Sequence, residues 1–466
     1  MPKKRSDDST AFEHLGEWWD VRRPRQKWHG RLECDDIDGA RLVLNERQRQ
    51  SRRNASDSYD VVLGLTNDGQ RISLLNCFNV ASSSNSTGLG RREIFANLVL
   101  RGIHVREGDP LIYGASAVFR NGDLWWNRRS LKPKLTGRTL RRATIRYAAI
   151  EPVILFDNGE TRLSVYSTLA SLPGAPDDNG DYSLKEEVRF ECLSKKRKPL
   201  SYFTDTLFAC RDFLSVACQD YCDTLRLTVY QDRKHYRDAT YHGVPVFKSE
   251  PKRRRRHNVL FRLSDIYRIR QKVFTSWLAE AKQLAAMRAL YALAVHGNHF
   301  VEGRFLALCQ GIEGFHFRYR KGVFMPQDAF NVQVAQALIA AIPNHIDPLL
   351  RASLEDRIKY GYQFSLNKRL KLLFAEFKDA LDAVVPDATK TIRPIVEQRN
   401  YLVHDPLVGG FQGRPGREEY QKFNFVLKMV TELCLLSVMK IPKKKITQLF
   451  AKSYLHKATA QHLFKT

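Results

Sequence analysis

The apolar residues of this 466-residue chain change their spacing once, and that change constrains the fold more than any other feature. Up to about residue 250 they come in short runs rich in Val, Ile, Leu and Tyr. Examples are RLVLNE (41–46), YDVVLGLTNDGQRISLLNCFNV (59–80), ANLVLRGIHV (96–105), PLIYGASAVF (110–119) and EPVILFDNGETRLSVYS (151–167). Such runs, bounded by turn residues, predict strands. Asn67-Asp68-Gly69 and Asp157-Asn158-Gly159 predict hairpin turns, because Asn, Asp and Gly tolerate the positive φ that tight turns require. The small-residue stretches 81–90 and 172–181 read as loops, and a helix over about 203–218 is expected to lie on the sheet. From Leu263 onward the apolar residues fall at helical spacing, in 263–295, 300–320 and 365–385, with Ser264-Asp265 and Ser365 where N-caps belong.

Consecutive amphipathic helices bury their stripes only against one another. The expected architecture is therefore α+β: a β-rich, sandwich-like domain over 1–250, a basic linker over 251–262, and an all-α helical bundle over 263–466. The linker holds the run KRRRR, in which Arg253 and Arg254 are candidates for nucleic-acid contact, a solvated linker being the plainer reading.

Charge narrows the partner. Lys and Arg number 76 against 50 Asp and Glu, a formal net charge of +26, and a surplus of that size favours a polyanion through counterion release. No apolar run approaches the ~20 residues of a membrane span, and the charged start MPKKRSDDST has no apolar stretch behind it. A soluble, cytoplasmic protein with no membrane partner is expected. The eight cysteines show no framework spacing, which fits reduced thiols. Cys218 and Cys222, followed by His235 and His242, resemble a zinc finger in their first gaps. The six residues between the histidines do not, and Cys210, Cys218 and Cys222 fall on one helical stripe, so no metal or other cofactor is assigned.

Several catalytic signatures are missing: a glycine-rich loop with Lys-Ser/Thr, an HExxH helix, and a dinucleotide fingerprint after a strand. What remains is VEQRNYLVHDP, residues 396–406, which holds an Arg-x4-His pair, Arg399 and His404. A chain with this many arginines and 13 histidines produces such a pair by chance, and Arg237 with His242 is a second copy, in a strand-like region. The first copy lies in a helical pattern with Ile395, Leu402 and Val403 available for a core face and Asp405-Pro406 to end it. At about 100° per residue, Arg399 and His404 stand roughly 140° apart around the helix, whereas Asn400 is four residues before His404 and shares its face.

One phosphate meets both residues if the guanidinium sweeps around the helix end, or if a two-fold axis brings a second copy across a cleft. A homodimer is expected on that ground. His404 sits where the negative end of the helix dipole favours a protonated ring, and Arg399 can hold a phosphate through two parallel hydrogen bonds. These groups suit RNA cleavage through the ribose 2′-hydroxyl without a metal. A surface arginine with a capping histidine accounts for the same letters.

The RNYLVH segment, together with FLALCQGIEGFH (305–316) and LEDRIKYGYQFSLNKRLKLLF (354–374), resembles the HEPN domains of the ApeA-like group. EHLGEWW (13–19) and residues 60–105 resemble the N-terminal domain of ApeA-like anti-phage proteins. The resemblance implies an all-α HEPN bundle carrying a metal-independent endoribonuclease, dimeric through that domain and acting in bacterial abortive infection. It implies Arg399 and His404 as catalytic residues, with tRNA, cut in its anticodon loop, as the RNA and a phage-derived trigger sensed by the β-rich domain. A non-cleaving RNA-binding sensor is the rival reading, and zinc chemistry at Cys218 and Cys222 a third.

Other candidates have plainer alternatives. Glu313 and Asn400 are assigned to orient Arg399 or His404, although a surface carboxylate would also explain Glu313. His316, three residues on, is read as a packed helix histidine. Lys368, Arg369 and Lys371 are candidates to line an RNA groove, against a solvated helix face. Trp18, Trp19, Trp125 and Trp126 suit base stacking but in a β-rich domain are more often core.

Overall fold

The computed structural model describes residues 12–35, 39–47, 58–84, 89–105, 112–136, 142–171, 184–232, 238–243, 256–296, 300–404 and 416–464. Two compact units emerge, and they do not divide at a single point in the chain. The first comprises residues 1–214, 222–254 and 262–274, the second 215–221, 255–261 and 275–466. Residues 262–274, which follow the basic segment, fall in the same unit as the strands.

In the first unit, strands β1 (Phe12–Asp20), β2 (Trp28–Asp35), β3 (Gly39–Arg47), β4 (Ser58–Thr66), β5 (Arg71–Ser84) and β6 (Leu89–Arg101) hydrogen-bond in the order β6-β3-β2-β1-β4-β5. β5 then pairs with β6, so the six strands close into an antiparallel barrel. Closure removes free edges, which two facing sheets would keep. The expected β-rich domain thus takes barrel form here, because β6 begins at Leu89, inside the stretch that reads as a loop, and its residues 89–96 pair with β3. Alternate residues point inward, and Trp18, Leu32, Leu42, Val62, Leu74 and Ile94 are fully buried together. Gly64 is required by this core, because a Cβ there would come within 2.2 Å of the Trp18 ring.

β6 pairs with β3 through residues 89–96 and with β14 (Asp238–Gly243) through residues 98–101, so it also begins a second run of strands. That run continues through β13 (Thr224–Tyr230), β7 (Ile112–Phe119), β12 (Lys185–Lys198), β11 (Thr161–Ser171) and β10 (Val153–Asp157). Both hairpin turns form as expected, joining β4 to β5 and β10 to β11, with Gly69 at φ 80° and Gly159 at φ 84°. A short separate hairpin joins β8 (Leu131–Thr136) to β9 (Arg142–Tyr147). The expected helix is α1 (Leu200–Cys218), whose Phe213 meets Trp125 edge-on at 5.7 Å while Trp125 also lies 5.7 Å from Phe190 of β12. Trp18, Trp125 and Trp126 are core residues, and Trp19 carries the Lys27 ammonium over its ring.

The second unit is helical. Its longer helices, after α2 (Arg270–Ala279), which begins in the first unit, are α3 (Ala285–Val295), α4 (Val301–Tyr319), α5 (Pro348–Lys359), α6 (Leu366–Glu376), α7 (Ile392–His404), α8 (Arg417–Val438), α9 (Lys443–Lys452) and α10 (Tyr454–Phe464). Every residue of α8 from Met429 to Leu436 is buried, which makes it the central helix of the bundle. Ser365 caps α6, accepting from the Lys368 backbone N–H at 3.4 Å. The other expected cap shifts: Arg262 is the N-cap of the short helix Leu263–Ile266, and Asp265 reaches back to the Arg262 N–H at 2.9 Å.

The buried stretch of α8 includes a charge. Glu432 accepts from the Tyr291 hydroxyl at 2.8 Å, pairs with Lys428 at 2.6 Å and His456 at 2.8 Å, and receives the Gln219 amide at 3.2 Å. Burial opposes its ionisation, but Lys428 and His456 outweigh burial and hold the carboxyl at about 2.

Candidate active site

Arg399 reaches its position because the apolar residues of α7 recur on one side. Ile392, Ile395 and Gln398 are buried, and the Gln398 amide donates to the Tyr420 hydroxyl of α8. With that face fixed, Arg399 and Asn400 stand at the border with solvent, and Val403 is 50% exposed instead of joining the core as expected. Leu402 is half-buried. α7 ends at His404, as the sequence requires, although Asp405-Pro406 and the His404 side chain lie outside the described residues.

Across from α7, Glu313 of α4 places Oε2 3.5 Å from Arg399 Nη2. Arg399 Nη1 also points at the Asn400 side-chain oxygen, 3.4 Å away. Both Arg399 and Glu313 are partly exposed, at 26% and 30% of their side chains, so the pair lies at the mouth of a cavity, not in the core. That cavity has a volume of about 570 Å³ and is walled by α4, the turn before α6, the first turns of α6, and α7. A carboxylate that holds a guanidinium without burying it leaves the cation able to receive an anionic oxygen.

The neighbouring basic candidates separate. Lys368 and Lys371 are exposed on α6. Arg369 is not part of an exposed groove: only 4% accessible, it donates to the Phe364 carbonyl at 2.9 Å and to the Gly322 and Glu313 carbonyls at 3.4 Å each. Its guanidinium ties the end of α4 to the start of α6, and burial works against its charge. It lines the cavity from beneath. Arg253 and Arg254 lie outside the described residues.

His316 is buried at 1% exposure, and burial, with Arg369 and Arg320 nearby, pushes its imidazole down to about 4. It is neutral near pH 7 and belongs to the packing of α4, as the plainer reading expected. Cys218 and Cys222 are buried as well. His235 lies outside the described residues, as does the side chain of His242 in β14. Among the described residues no cluster of three or more His, Cys, Asp or Glu side chains is placed to hold a metal ion. The second Arg-x4-His copy is in a strand context, and Arg237 lies outside the described residues.

Sequence reasoning did not single out Phe317, Gln363, Phe364 or Asn367, all of which line the same cavity. The available signal was weak: an aromatic on the polar side of α4, and amide residues on either side of a helix cap.

Residues 13–277 match the family described as ApeA N-terminal domain 1, which is more than half of the chain. The chain belongs to the ApeA family. Residues 306–445 match Apea-like HEPN, a span that contains most of α4, all of α6 and α7, and hence the whole Arg399 cavity. The ApeA N-terminal match runs past the basic segment to residue 277, close to Phe274, where the first structural unit ends. Comparison with curated proteins gave no match, nor did comparison with solved structures. No helix among the described residues is long and apolar enough to cross a membrane.

Proposed function

We propose that this ApeA-family protein is a metal-independent endoribonuclease of bacterial anti-phage defence, and that tRNA in the cytoplasm is its substrate. The observation that carries this reading is Arg399, held at the mouth of a cavity by Glu313 within the HEPN match and five residues ahead of His404 on the same helix.

The chemistry follows from those groups. The 2′-oxygen of a ribose attacks the adjacent phosphorus, its proton leaves, the bond to the 5′-oxygen breaks, and that oxygen takes up a proton. The products are a 2′,3′-cyclic phosphate and a 5′-hydroxyl. Arg399 stabilises the negative charge growing on the non-bridging oxygens, and His404 carries a proton. Asn400, on the face of α7 nearest His404, orients one or both.

A helix separates Arg399 and His404 by roughly 140°, which favours a site completed by a second copy about a two-fold axis. Val403, half exposed beside His404, supports a contact at that place. The β-rich unit is assigned to sensing a phage-derived trigger, on the strength of the family match.

The test is to incubate the wild-type protein and His404→Ala with total tRNA in EDTA and to map the product ends. Cleavage by the wild type alone, leaving 2′,3′-cyclic phosphates, supports the proposal. RNA binding with steep salt dependence and no cleavage, in vitro or in infected cells, would replace it with a non-cleaving RNA sensor.

A further inference from the structure

Residues 128–147 contain eight Lys and Arg and no Asp or Glu. Part of this stretch forms the β8–β9 hairpin, which pairs with no other strand among the described residues. Its root is fixed: the buried Ser130 hydroxyl lies 2.6 Å from the Ser167 hydroxyl of β11, its backbone N–H donates to Glu186 Oε1 of β12 at 2.8 Å, and its carbonyl accepts from the Ala148 N–H at 2.9 Å. Beyond that root, Lys132, Pro133, Lys134 and residues 144–147 are all exposed, so the hairpin is a ribbon with water on both faces.

Register sorts its side chains by chemistry. Lys132 lies opposite Arg146 and Lys134 opposite Thr144, which puts three cations on one face, while Leu131, Pro133, Ile145 and Tyr147 share the other. Like charges directly opposite one another weaken a strand pair, and a two-stranded hairpin is marginal to begin with. Among the described residues no carboxylate pairs with any of the three cations. The arrangement costs the ribbon stability, and a polyanion laid along it would offset that cost.

We infer that this ribbon docks in the major groove of double-stranded DNA, with Lys132, Lys134 and Arg146 on the phosphates. Charge selects a polyanion, and shape selects among polyanions. Two strands about 4.8 Å apart make a ribbon that the roughly 12 Å major groove of B-form DNA admits. The major groove of an A-form RNA duplex is too deep and narrow for side chains to read. The fourth residue of the cationic face is Thr144, so that face carries nothing suited to entering lipid. The inference goes beyond the ribonuclease reading and does not rest on it: it names a ligand for the β-rich unit, to which sensing of a trigger is assigned.

The experiment uses the full-length protein and two fluorescein-labelled duplexes of one sequence and length, one of DNA and one of 2′-O-methyl RNA, which keeps A-form geometry and offers no 2′-hydroxyl for attack. Anisotropy should show the wild type binding the DNA more tightly. Replacing Lys132, Lys134 and Arg146 together by Ala should make the slope of log K against log salt shallower by about 2–3 and weaken DNA binding about 10–100-fold, as three lost phosphate contacts require. The thermal unfolding midpoint should not fall, because the three positions are exposed. Ile145→Ser, on the opposite face, should bind DNA as the wild type does.

Unchanged affinity and slope in the triple variant overturn the inference, as does a wild type that binds neither duplex or both equally. Binding of phosphatidylglycerol vesicles that Ile145→Ser abolishes, without DNA binding, would make the ribbon a lipid contact instead. Loss of tRNA cleavage in the triple variant would assign its cations to the RNA substrate. DNA binding through the ribbon by a wild-type protein that cuts no RNA would keep this inference and remove the nuclease reading; cleavage without DNA binding would do the opposite.

Discussion

Glu313 Oε2 and Arg399 Nη2 meet at 3.5 Å across the mouth of the cavity, joining α4 to α7 over 86 residues of sequence. The contact aims a cation without burying it. Neutralising either partner should therefore change turnover more than stability, because a half-exposed pair contributes little to folding.

Arg399→Ala should lower single-turnover RNA cleavage by about 10²–10³-fold, the usual cost of removing a donor that stabilises transition-state charge. Arg399→Lys should recover only part of the loss, since an ammonium lacks the planar two-pronged geometry. Full activity in Arg399→Ala would remove the residue from the site.

Glu313→Ala should slow cleavage about tenfold to hundredfold through a misplaced guanidinium, with an unchanged urea midpoint. A drop in stability with normal turnover would make Glu313 a structural brace.

His404→Ala should cost about 10²–10⁴ in rate, the range of a general acid or base. Helix content and sedimentation mass should match the wild type. Loss of dimer mass in this variant would place His404 in the interface, not in the chemistry.

Acid should weaken the helical unit through its buried histidines. His316 is held near 4 in the folded state against 6.5 when unconstrained. Its contribution is whole above pH 6.5 and declines as the pH falls toward 4, because the unfolded chain binds the proton more readily. Comparing urea midpoints at pH 7 and pH 5 should show a smaller decline for His316→Leu than for wild type. Equal declines would mean that His316 does not titrate in that window.

Glu432→Ala should destabilise the helical unit by about 3–5 kcal/mol, since it leaves Lys428 without its buried counter-charge. Glu432→Gln, which keeps an acceptor for the Tyr291 hydroxyl, should cost less. Denaturation followed by circular dichroism distinguishes the two.

Period and turn chemistry in the sequence were enough to place the two halves, both hairpin turns, α1 and the Ser365 cap, because each depends on neighbours within a few residues. The helical setting of Arg399 was legible for the same reason, as was the difference between its pattern and the copy at Arg237 and His242. Closure of the barrel was not legible: β5 and β6 pair as neighbours in the chain, but the ring closes only because β6 also meets β3 and β1 meets β4, strands that lie dozens of residues apart. The fate of each charge was hidden likewise. Arg369 and Lys368 are adjacent in sequence, yet one donates to three backbone carbonyls and the other faces water. By itself the sequence determined local conformation, net charge and the candidate Arg-His pair. Tertiary structure decided which cations stay available, which aromatics are exposed, and that Glu313 meets Arg399, because burial and pairing depend on residues far apart in the chain.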